Sequence, residues 1–267
     1  MITSVQNARV KYIAGLHDRK ARAMRGVCWA ESRRCVEVAL ASGWRVREVA
    51  VRADAGAEAR ELAGRAAGQG CAVHEYSEAC FRKLSALRHS DGIGAVVETR
   101  LRRGVPPEDG ARAVVAWQLQ DPQNLGSIIR TAAAVNCRRV VTVEPCVDAV
   151  HPLSVRGSAG MVFLTEVWQA GAEEARAWLA ANAPVCAALS TRGAELLRTA
   201  AGHSPRILVA GNEARGVPDD LACVVPCVRI PMAPGVESLN VNAAAAIALY
   251  TLWGADTEDV AGNRPSA

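Results

Sequence analysis

The stretch IPMAPGVESLNVN, residues 230–242, runs directly into an alanine-rich helix and decides how the chain is interpreted. An apolar strand ends there in a Pro/Gly loop, and the loop delivers Ser238 and Asn240 to the first turn of the helix. Ser and Asn side chains accept hydrogen bonds from the unpaired N–H groups of a helix N-terminus. Because α/β proteins bind ligands at the carboxyl ends of strands, this loop is a candidate ligand site. An ordinary capped helix after a turn fits the same residues.

The composition is that of a chain that can bury a large core and has no membrane span. Half of its 267 residues are hydrophobic, and no run reaches the roughly 18 apolar residues that a membrane helix needs. The first residues, MITSVQN, lack the charged and apolar regions of a secretory signal, which predicts a cytoplasmic protein. The nine cysteines form no Cys-x-x-Cys, and the five histidines are isolated. We therefore expect reduced, mostly buried thiols and no metal site.

Positive charge is concentrated at the N-terminus. Residues 1–34 carry a net charge of +6, whereas the whole chain carries +4, so the remaining residues are slightly acidic. A basic segment on a near-neutral body indicates a polyanionic partner such as nucleic acid, bound through its phosphates, although a solvated helix face gives the same pattern. The candidate nucleic-acid contacts are Arg9, Lys11, Arg19, Lys20, Arg22, Arg25 and Arg33.

The pattern of apolar residues predicts two α/β domains joined by a charged Pro/Gly-rich segment. The expected bounds are a domain of residues 1–103, a linker of residues 104–112, a second domain of residues 113–256 and a flexible tail of residues 257–267. The first domain has predicted strands at 27–30, 46–51, 72–76 and 94–98, and helices at 7–17, 33–41, 57–67 and 78–87. The second has predicted strands at 113–119, 139–143, 162–167, 185–189, 206–210 and 224–230, and helices at 125–135, 173–182 and 240–253. Alternating strands and helices favour a largely parallel sheet in the first domain.

Two further loops in the second domain follow strand ends and carry polar residues. In residues 120–134, QDPQNLGSIIRTAAA, Asn124 is placed to cap a new helix that also carries Arg130. An arginine on an apolar helix either extends its guanidinium into solvent or has a functional role in the site, and both interpretations stay open. In residues 208–218, LVAGNEARGVP, glycines bracket a single carboxylate, Glu213, and allow close approach of a ligand to the backbone.

These three loops, read as Asn-x-Gly-x-x-x-Arg, Gly-x-Glu-x-x-Gly and Ile-Pro-Met…Ser-Leu-Asn-Val, resemble the three signature motifs of the SpoU/TrmH family of RNA ribose 2′-O-methyltransferases in the SPOUT superfamily. The resemblance covers residues 113–253. The first domain resembles the substrate-binding domain often fused ahead of this catalytic domain, an α/β fold similar to certain ribosomal RNA-binding proteins. The resemblance implies a deep C-terminal trefoil knot, S-adenosylmethionine as cofactor, and a homodimer whose active site is built across the interface.

The resemblance also implies roles for individual residues. The positions that match the family's cofactor contacts are Gly211, Ile230 and Leu239, with the Leu189–Thr191 strand exit nearby. Arg130 matches the catalytic arginine, and Asn124, Glu213, Ser238 and Asn240 match the remaining polar positions. A ribose hydroxyl is a poor nucleophile until its proton is removed. Because arginine is normally fixed in its protonated form, Arg130 either acts as a base with unusual help or holds a phosphate or the oxygen.

The favoured function is 2′-O-methylation of a ribose in structured RNA, with ribosomal RNA of the 23S type preferred because of the extra N-terminal domain. A tRNA substrate is an alternative. A second alternative is a non-catalytic RNA-binding or ribosome-assembly factor on a methyltransferase scaffold. A base-methylating SPOUT enzyme is disfavoured because Arg130 and Ser238-Leu239-Asn240 resemble the ribose-methylating branch.

Overall fold

The structure is a computed structural model that describes residues 1–87 and 90–254, and these residues form two units. Unit 1 comprises Met1–Arg100 together with Asp148–Leu164, and unit 2 comprises Leu101–Val147 and the described residues from Thr165 onward. The predicted two-domain α/β organisation is confirmed. The predicted tail 257–267 lies outside the described residues, as do the last two residues of the predicted second domain.

Twelve strands and eleven α-helices are found in the described residues. In chain order, the strands are β1 (Val27–Glu31), β2 (Val46–Arg52), β3 (Ala72–Tyr76), β4 (Ile93–Glu98), β5 (Arg102–Arg103), β6 (Ala113–Trp117), β7 (Arg139–Val143), β8 (Glu166–Ala170), β9 (Cys186–Leu189), β10 (Glu195–Leu196), β11 (Ile207–Ala210) and β12 (Cys227–Arg229). The helices are α1 (Ala8–Ala14), α2 (Arg19–Arg25), α3 (Arg33–Ala41), α4 (Ala57–Gly68), α5 (Glu78–Leu84), α6 (Pro122–Ala134), α7 (Pro152–Gly157), α8 (Ala172–Ala181), α9 (Leu197–Ala200), α10 (Asp219–Ala222) and α11 (Val241–Trp253).

Unit 1 is built on a four-stranded sheet in the order β1-β4-β2-β3. Strand β4 runs antiparallel to both of its neighbours, whereas β2 and β3 are parallel. The prediction of a largely parallel sheet is therefore wrong in this unit. Alternation of strands and helices predicts a parallel sheet only if every strand enters from the same end, and β4 inserts between β1 and β2 from the opposite end.

The segment Asp148–Leu164 belongs to unit 1, although the sequence suggested one continuous domain over residues 113–256. The Asp148 carboxylate forms a buried ion pair with Arg22, with Nη2 and Oδ2 2.8 Å apart. Phe163 packs edge-on against Trp44, with ring centroids 5.2 Å apart. The segment contains α7, which lies against β1. It therefore supplies part of the core of unit 1. A short 3-10 helix, Met161–Leu164, replaces the start of the strand predicted at 162–167, and the strand itself begins at Glu166.

Unit 2 contains an eight-stranded parallel sheet in the order β10-β12-β9-β11-β6-β7-β8-β5. The central strands β6 and β11 are buried along their whole length. Their sequences, AVVAW and ILVA, are continuous apolar runs, which is the pattern of a parallel strand covered on both faces. Helix α11 packs against α6 and β11. The carboxyl ends of β9, β11 and β12 consequently lie side by side at one edge.

The described residues contain neither a helix suited to crossing a membrane nor a metal-binding cluster. In residues 1–87 and 90–254, no helix has the length and apolar character that crossing a membrane requires. No group of three or more His, Cys, Asp or Glu in the same residues is arranged to hold a metal ion. All nine cysteines are described, each is a free thiol and six are buried, which confirms the expectation of mostly buried thiols.

Candidate active site

Three loops of unit 2 enclose a cavity of about 330 Å³ at the carboxyl ends of β9, β11 and β12. These are the strand exits that the sequence singled out. The cavity is lined by all five predicted cofactor residues, which are Leu189, Thr191, Gly211, Ile230 and Leu239. Glu213 and Ser238 from the predicted catalytic set also line it, whereas Asn124, Arg130 and Asn240 do not.

The loop after β11 is folded tightly on itself. A Cβ atom at Gly211 would overlap the backbone of Gly216 and Val217, so glycine is required there. The Asn212 side chain donates to the Gln118 carbonyl at 2.7 Å and accepts from the backbone N–H of Ala214 and of Arg215 at 3.1 Å. The loop is thereby pinned to the neighbouring strand end, which fixes the cavity wall that carries Glu213.

A chain of three side chains joins the three sequence motifs. Asn124 donates from Nδ2 to Glu213 Oε1 at 3.1 Å, and its Oδ1 accepts from Asn242 Nδ2 at 3.0 Å. Asn124 is only 5% exposed, whereas Asn242 is half-buried and Glu213 is exposed, so the network extends from the interior to the surface. Each residue comes from a different motif: Asn124 lies on α6, Asn242 on α11 and Glu213 in the loop after β11. Asn124 is 89 residues from Glu213 and 118 residues from Asn242 along the chain. The network therefore fixes the three motifs relative to one another.

Glu213 is held as an anion by the loop that precedes α6. Its carboxylate accepts from the backbone N–H groups of Gln120 and Asp121 at 3.1–3.2 Å, in addition to Asn124. Burial raises the pKa of Glu213, but these hydrogen bonds together outweigh it, and the pKa lies below the ordinary value of a glutamate. A carboxylate with a lowered pKa is a weak proton acceptor, and this geometry suits positioning rather than general-base chemistry.

The helix caps at the site differ in part from expectation. Asn240 caps α11, as predicted, by accepting from the Asn242 backbone N–H at 2.9 Å. The prediction that Asn124 caps α6 is wrong. Asp121 is the cap, accepting from the Gln123 N–H at 2.7 Å, and Pro122 occupies the first turn. Helix α6 therefore begins three residues before the predicted start at 125, and Asn124 is free to join the network.

Arg130 is exposed on α6 and makes no hydrogen bond or ion pair within the residues that the structure describes. It lies six residues after Asn124, which places the two about 120° apart around the helix. It shares the exposed side of α6 with Gln123 and Ala134. Arg130 is consequently outside the cavity of its own chain, with its guanidinium available to another molecule.

The cavity residues suit a ligand with an apolar ring system and a polar tail. Apolar side chains from three loops, including Leu189, Ile230 and Leu239, provide walls, and Thr191 and Glu237 provide a hydroxyl and a carboxylate. The volume lies at the lower end of the roughly 300–1,000 Å³ of small-molecule sites. This combination fits S-adenosylmethionine, whose adenine is apolar and whose amino-acid end is charged.

The predicted basic contacts in unit 1 are placed very differently from one another. Arg22 is 2% exposed and donates to Asp148 and to the Leu16 and His17 carbonyls. The prediction that Arg22 contacts nucleic acid is wrong, because its guanidinium is buried against Asp148 and a phosphate cannot reach it. Arg25 is half-buried against Tyr12. Of the others, Lys11, Arg19, Lys20 and Arg33 are exposed and Arg9 is half-buried.

Sequence reasoning missed Asn242 and Asn212. Both stand inside the quoted motifs, but neither was assigned a role. Asn242 falls in the first helical turn after a capping residue, and Asn212 falls between a glycine and a carboxylate. An amide side chain at a turn is the sequence feature that could have marked both residues as hydrogen-bonding positions. Their partners lie more than 90 residues away, and no local pattern encodes those contacts.

The chain was compared with known families, proteins and solved structures. Residues 111–250 match the SpoU rRNA methylase family, and residues 7–95 match the MRM3-like substrate-binding domain. The chain is 32% identical to an uncharacterized tRNA/rRNA methyltransferase of Synechocystis over 96% of each protein. It is 29% identical to the Bacillus subtilis 23S rRNA (guanosine(2553)-2′-O)-methyltransferase RlmP, covering 95% of this chain and 99% of that protein. The crystal structure of an AdoMet-bound rRNA methyltransferase from Sinorhizobium meliloti superposes with a TM-score of 0.82 at 28% identity, covering 94% of this chain and 96% of that one.

Proposed function

Because the chain belongs to the SpoU rRNA methylase family and is therefore an RNA methyltransferase, we propose that it methylates the 2′-hydroxyl of a ribose in ribosomal RNA of the 23S type. The observation that carries this proposal is the network Asn242–Asn124–Glu213 at the cavity, because it brings together one residue from each of the three motifs. The Bacillus subtilis relative, named for guanosine 2′-O-methylation of 23S rRNA, aligns along nearly the whole chain and supports the choice of atom and RNA.

We propose that the cavity holds S-adenosylmethionine, which supplies an electrophilic methyl group on a sulfonium. The apolar residues Leu189, Ile230 and Leu239 hold the adenine, and the Gly211 loop offers backbone groups to it. Thr191 and Glu237 are placed to bind hydroxyl and ammonium groups. The structure of the Sinorhizobium relative with bound AdoMet supports this assignment.

Arg130 is the proposed catalytic residue. Its guanidinium carries a positive charge, so it binds the RNA phosphate or the ribose oxygen. It stabilises the negative charge that develops on that oxygen as the hydroxyl proton passes to solvent. Asn124 and Glu213 act as positioning residues, because they fix the start of α6 relative to the cavity. Ser238 stands at the cavity and Asn240 caps α11, so both shape the third loop.

Arg130 lies outside the cavity of its own chain, which favours a homodimer with a composite site. In such a dimer, Arg130 of one protomer serves the cavity of its partner. Helix α11 supports an interface, because Ile247 and Tyr250 are 43% and 67% exposed and lie three residues apart on one side.

We also propose that the chain around β12 and α11 forms the trefoil knot that the family resemblance implies, and that the protein acts in the cytoplasm.

The test is methyl transfer from labelled S-adenosylmethionine to purified rRNA and tRNA, with the product nucleoside identified by mass spectrometry. Arg130→Ala should lower kcat/KM by at least about 100-fold while cofactor affinity stays unchanged. Arg138→Ala, which removes an exposed arginine just after α6, is the matched control and should change the rate less than about threefold. A methyl group on a base, or full activity in Arg130→Ala, contradicts the proposed site. If only tRNA is methylated, tRNA replaces rRNA as the proposed substrate.

Mixed dimers test the composite site. Arg130→Ala and Leu239→Arg should each be inactive, the second because a charged side chain fills the cavity. If the site combines residues of two chains, equal mixing gives half heterodimers with one intact site each, and about a quarter of wild-type activity returns. If subunit exchange is verified and no methyl-transfer activity returns, the proposal of a site shared between protomers is contradicted.

A further inference from the structure

Unit 1 carries a second concave site, which the methyl-transfer proposal does not use. It is a groove of about 580 Å³ between α1 and the strands β2 and β4. Its lining includes Asn7, Arg9, Tyr12, Arg47, Glu48 and Val96. The groove therefore combines an aromatic ring, two cations and a carboxylate on one small surface, whereas a packing defect between a helix and a sheet is lined by aliphatic residues.

A β-bulge in β2 creates the polar side of this groove. The register of β2 against β4 shifts between Val46 and Glu48, so Arg47 stands at the irregular position. In a regular strand, consecutive residues point to opposite faces of the sheet. The bulge changes this alternation, and Arg47 and Glu48 both line the groove. Bulges commonly redirect side chains in this way beside functional sites.

Tyr12 is fixed as a platform at the groove. The Arg25 guanidinium carbon lies 4.6 Å from the ring centroid, and Arg25 Nη1 donates to the Tyr12 carbonyl at 2.8 Å. One face of the ring is thus covered by a cation that is itself anchored. Part of the Tyr12 side chain packs against the core of unit 1, and its remaining surface lines the groove. A flat aromatic or heteroaromatic group can pack against that surface at little entropic cost, because the ring is already immobilised.

Glu48 supplies a fixed acceptor on the floor of the groove. It is 9% exposed, and Arg9 Nη1 donates to its Oε2 at 2.5 Å. His74 Nε2 lies 3.7 Å from the same oxygen, and burial, with the positive charge of Arg9, lowers the pKa of His74. Within the described residues, no hydrogen bond to the other carboxylate oxygen of Glu48, Oε1, is found. That oxygen therefore keeps acceptor capacity for a donor group bound in the groove.

We propose that this groove binds one unpaired nucleotide of the substrate RNA, distinct from the nucleotide that is methylated. Its base packs against Tyr12, its amino edge faces Glu48 and its phosphate contacts Arg47, whose Nε also donates to Glu98 Oε1 at 2.9 Å. Adenine, cytosine and guanine carry an exocyclic amino group that donates to a carboxylate. The N3–H donor of uracil, by contrast, lies between two carbonyl oxygens, which a carboxylate repels. The groove therefore selects against uridine. This inference rests on the proposed RNA substrate and adds to it a sequence-reading site in unit 1.

The test is fluorescence anisotropy of the full chain with labelled single-stranded octamers of adenosine, cytidine and uridine. The wild type should bind the adenosine and cytidine octamers more tightly than the uridine octamer. Tyr12→Ala should weaken adenosine octamer binding about tenfold, since stacking on an aromatic side chain contributes strongly to single-strand affinity. Tyr12→Phe keeps the ring and should stay within about twofold of the wild type.

Two further variants keep the test decisive if Tyr12→Ala does not fold. Glu48→Gln should narrow the preference for adenosine over uridine, because an amide both donates and accepts. Arg47→Ala should weaken all three octamers alike and more than Arg65→Ala, a control arginine on α4 that is also exposed and paired with a glutamate. Equal losses in Arg47→Ala and Arg65→Ala, or equal affinity of the wild type for adenosine and uridine octamers, overturn the proposal.

Parallel methyl-transfer assays separate this inference from the proposed function. Octamer selectivity that depends on Tyr12, in a protein that neither binds S-adenosylmethionine nor methylates RNA, supports the groove and contradicts the proposed reaction. Full methyl transfer to rRNA with no effect of Tyr12→Ala on octamer binding or on KM contradicts the groove and leaves the proposed reaction intact.

Discussion

Replacing Asn124 by alanine removes the central link between the three motif loops. Two hydrogen bonds are lost, one to the Glu213 carboxylate at 3.1 Å and one from Asn242 at 3.0 Å. A hydrogen bond to a charged group contributes about 1.5–3 kcal/mol, and a neutral one about 0.5–1.5 kcal/mol. The variant should therefore lose about 2–4 kcal/mol, because Asn124 is buried and water replaces its bonds poorly.

Amide hydrogen exchange read by mass spectrometry measures this loss, since it reports the two units separately. The N–H groups of Gln120 and Asp121 donate to Glu213, so their protection depends directly on the position of that carboxylate. A loss of about 2–4 kcal/mol corresponds to exchange about 30- to 1,000-fold faster. Peptides from β1 in unit 1 should be unchanged and provide an internal reference.

Gln123→Ala is the matched control, because Gln123 is exposed on the same helix turn and its side chain takes no part in the network. It should change exchange by less than about threefold. If the Gln120 and Asp121 amides exchange at the same rate in Asn124→Ala as in Gln123→Ala, the reasoning is refuted. Glu213 would then be held by the backbone alone, and the network would not link the three loops.

Three further predictions concern the cavity, the core of unit 1 and pH. Gly211→Ala should weaken S-adenosylmethionine binding more than tenfold in calorimetry, because its Cβ overlaps the Gly216 backbone; unchanged affinity would contradict the tight loop. Asp148→Ala leaves the Arg22 charge buried and should destabilise unit 1 by about 3–5 kcal/mol in urea unfolding, whereas Arg22→Met combined with Asp148→Leu should recover most of that loss. Because the pKa of Glu213 is lower in the folded chain, its contribution to stability is present above its unfolded pKa and is lost as pH falls through the folded value. Wild-type stability should therefore fall below about pH 4.5 more steeply than that of Glu213→Gln, and equal slopes would contradict the lowered pKa.

The local elements were predictable because their patterns are local. Strands β1, β6 and β11 are short apolar runs, and the helices α3, α4 and α11 end within about two residues of the predicted bounds. The five positions that the family resemblance assigned to the cofactor all line one cavity. They meet there because parallel strands carry their carboxyl-end loops to the same edge of a sheet.

The failures arose where a contact partner lies far away along the chain. Arg22 has the same sequence character as its exposed neighbours, yet it is buried because Asp148, 126 residues later, neutralises it. Asn124 was predicted to cap a helix, since the local pattern allows either Asp121 or Asn124 to do so. In the structure the Asp121 side chain caps the helix by accepting from the Gln123 N–H, and the Asn124 side chain donates to Glu213 instead.

The two α/β units, the three motifs and the residue types around the cavity can be predicted from sequence, because each follows from periodicity, turn residues and motif spacing over short stretches. The direction of β4, the inclusion of Asp148–Leu164 in unit 1, the exposed position of Arg130 and the groove at Tyr12 emerge only from the folded chain. These features depend on burial and charge pairing, and both depend on which distant segments meet. A single residue's exposure, unlike its helical or strand preference, is set by the whole fold.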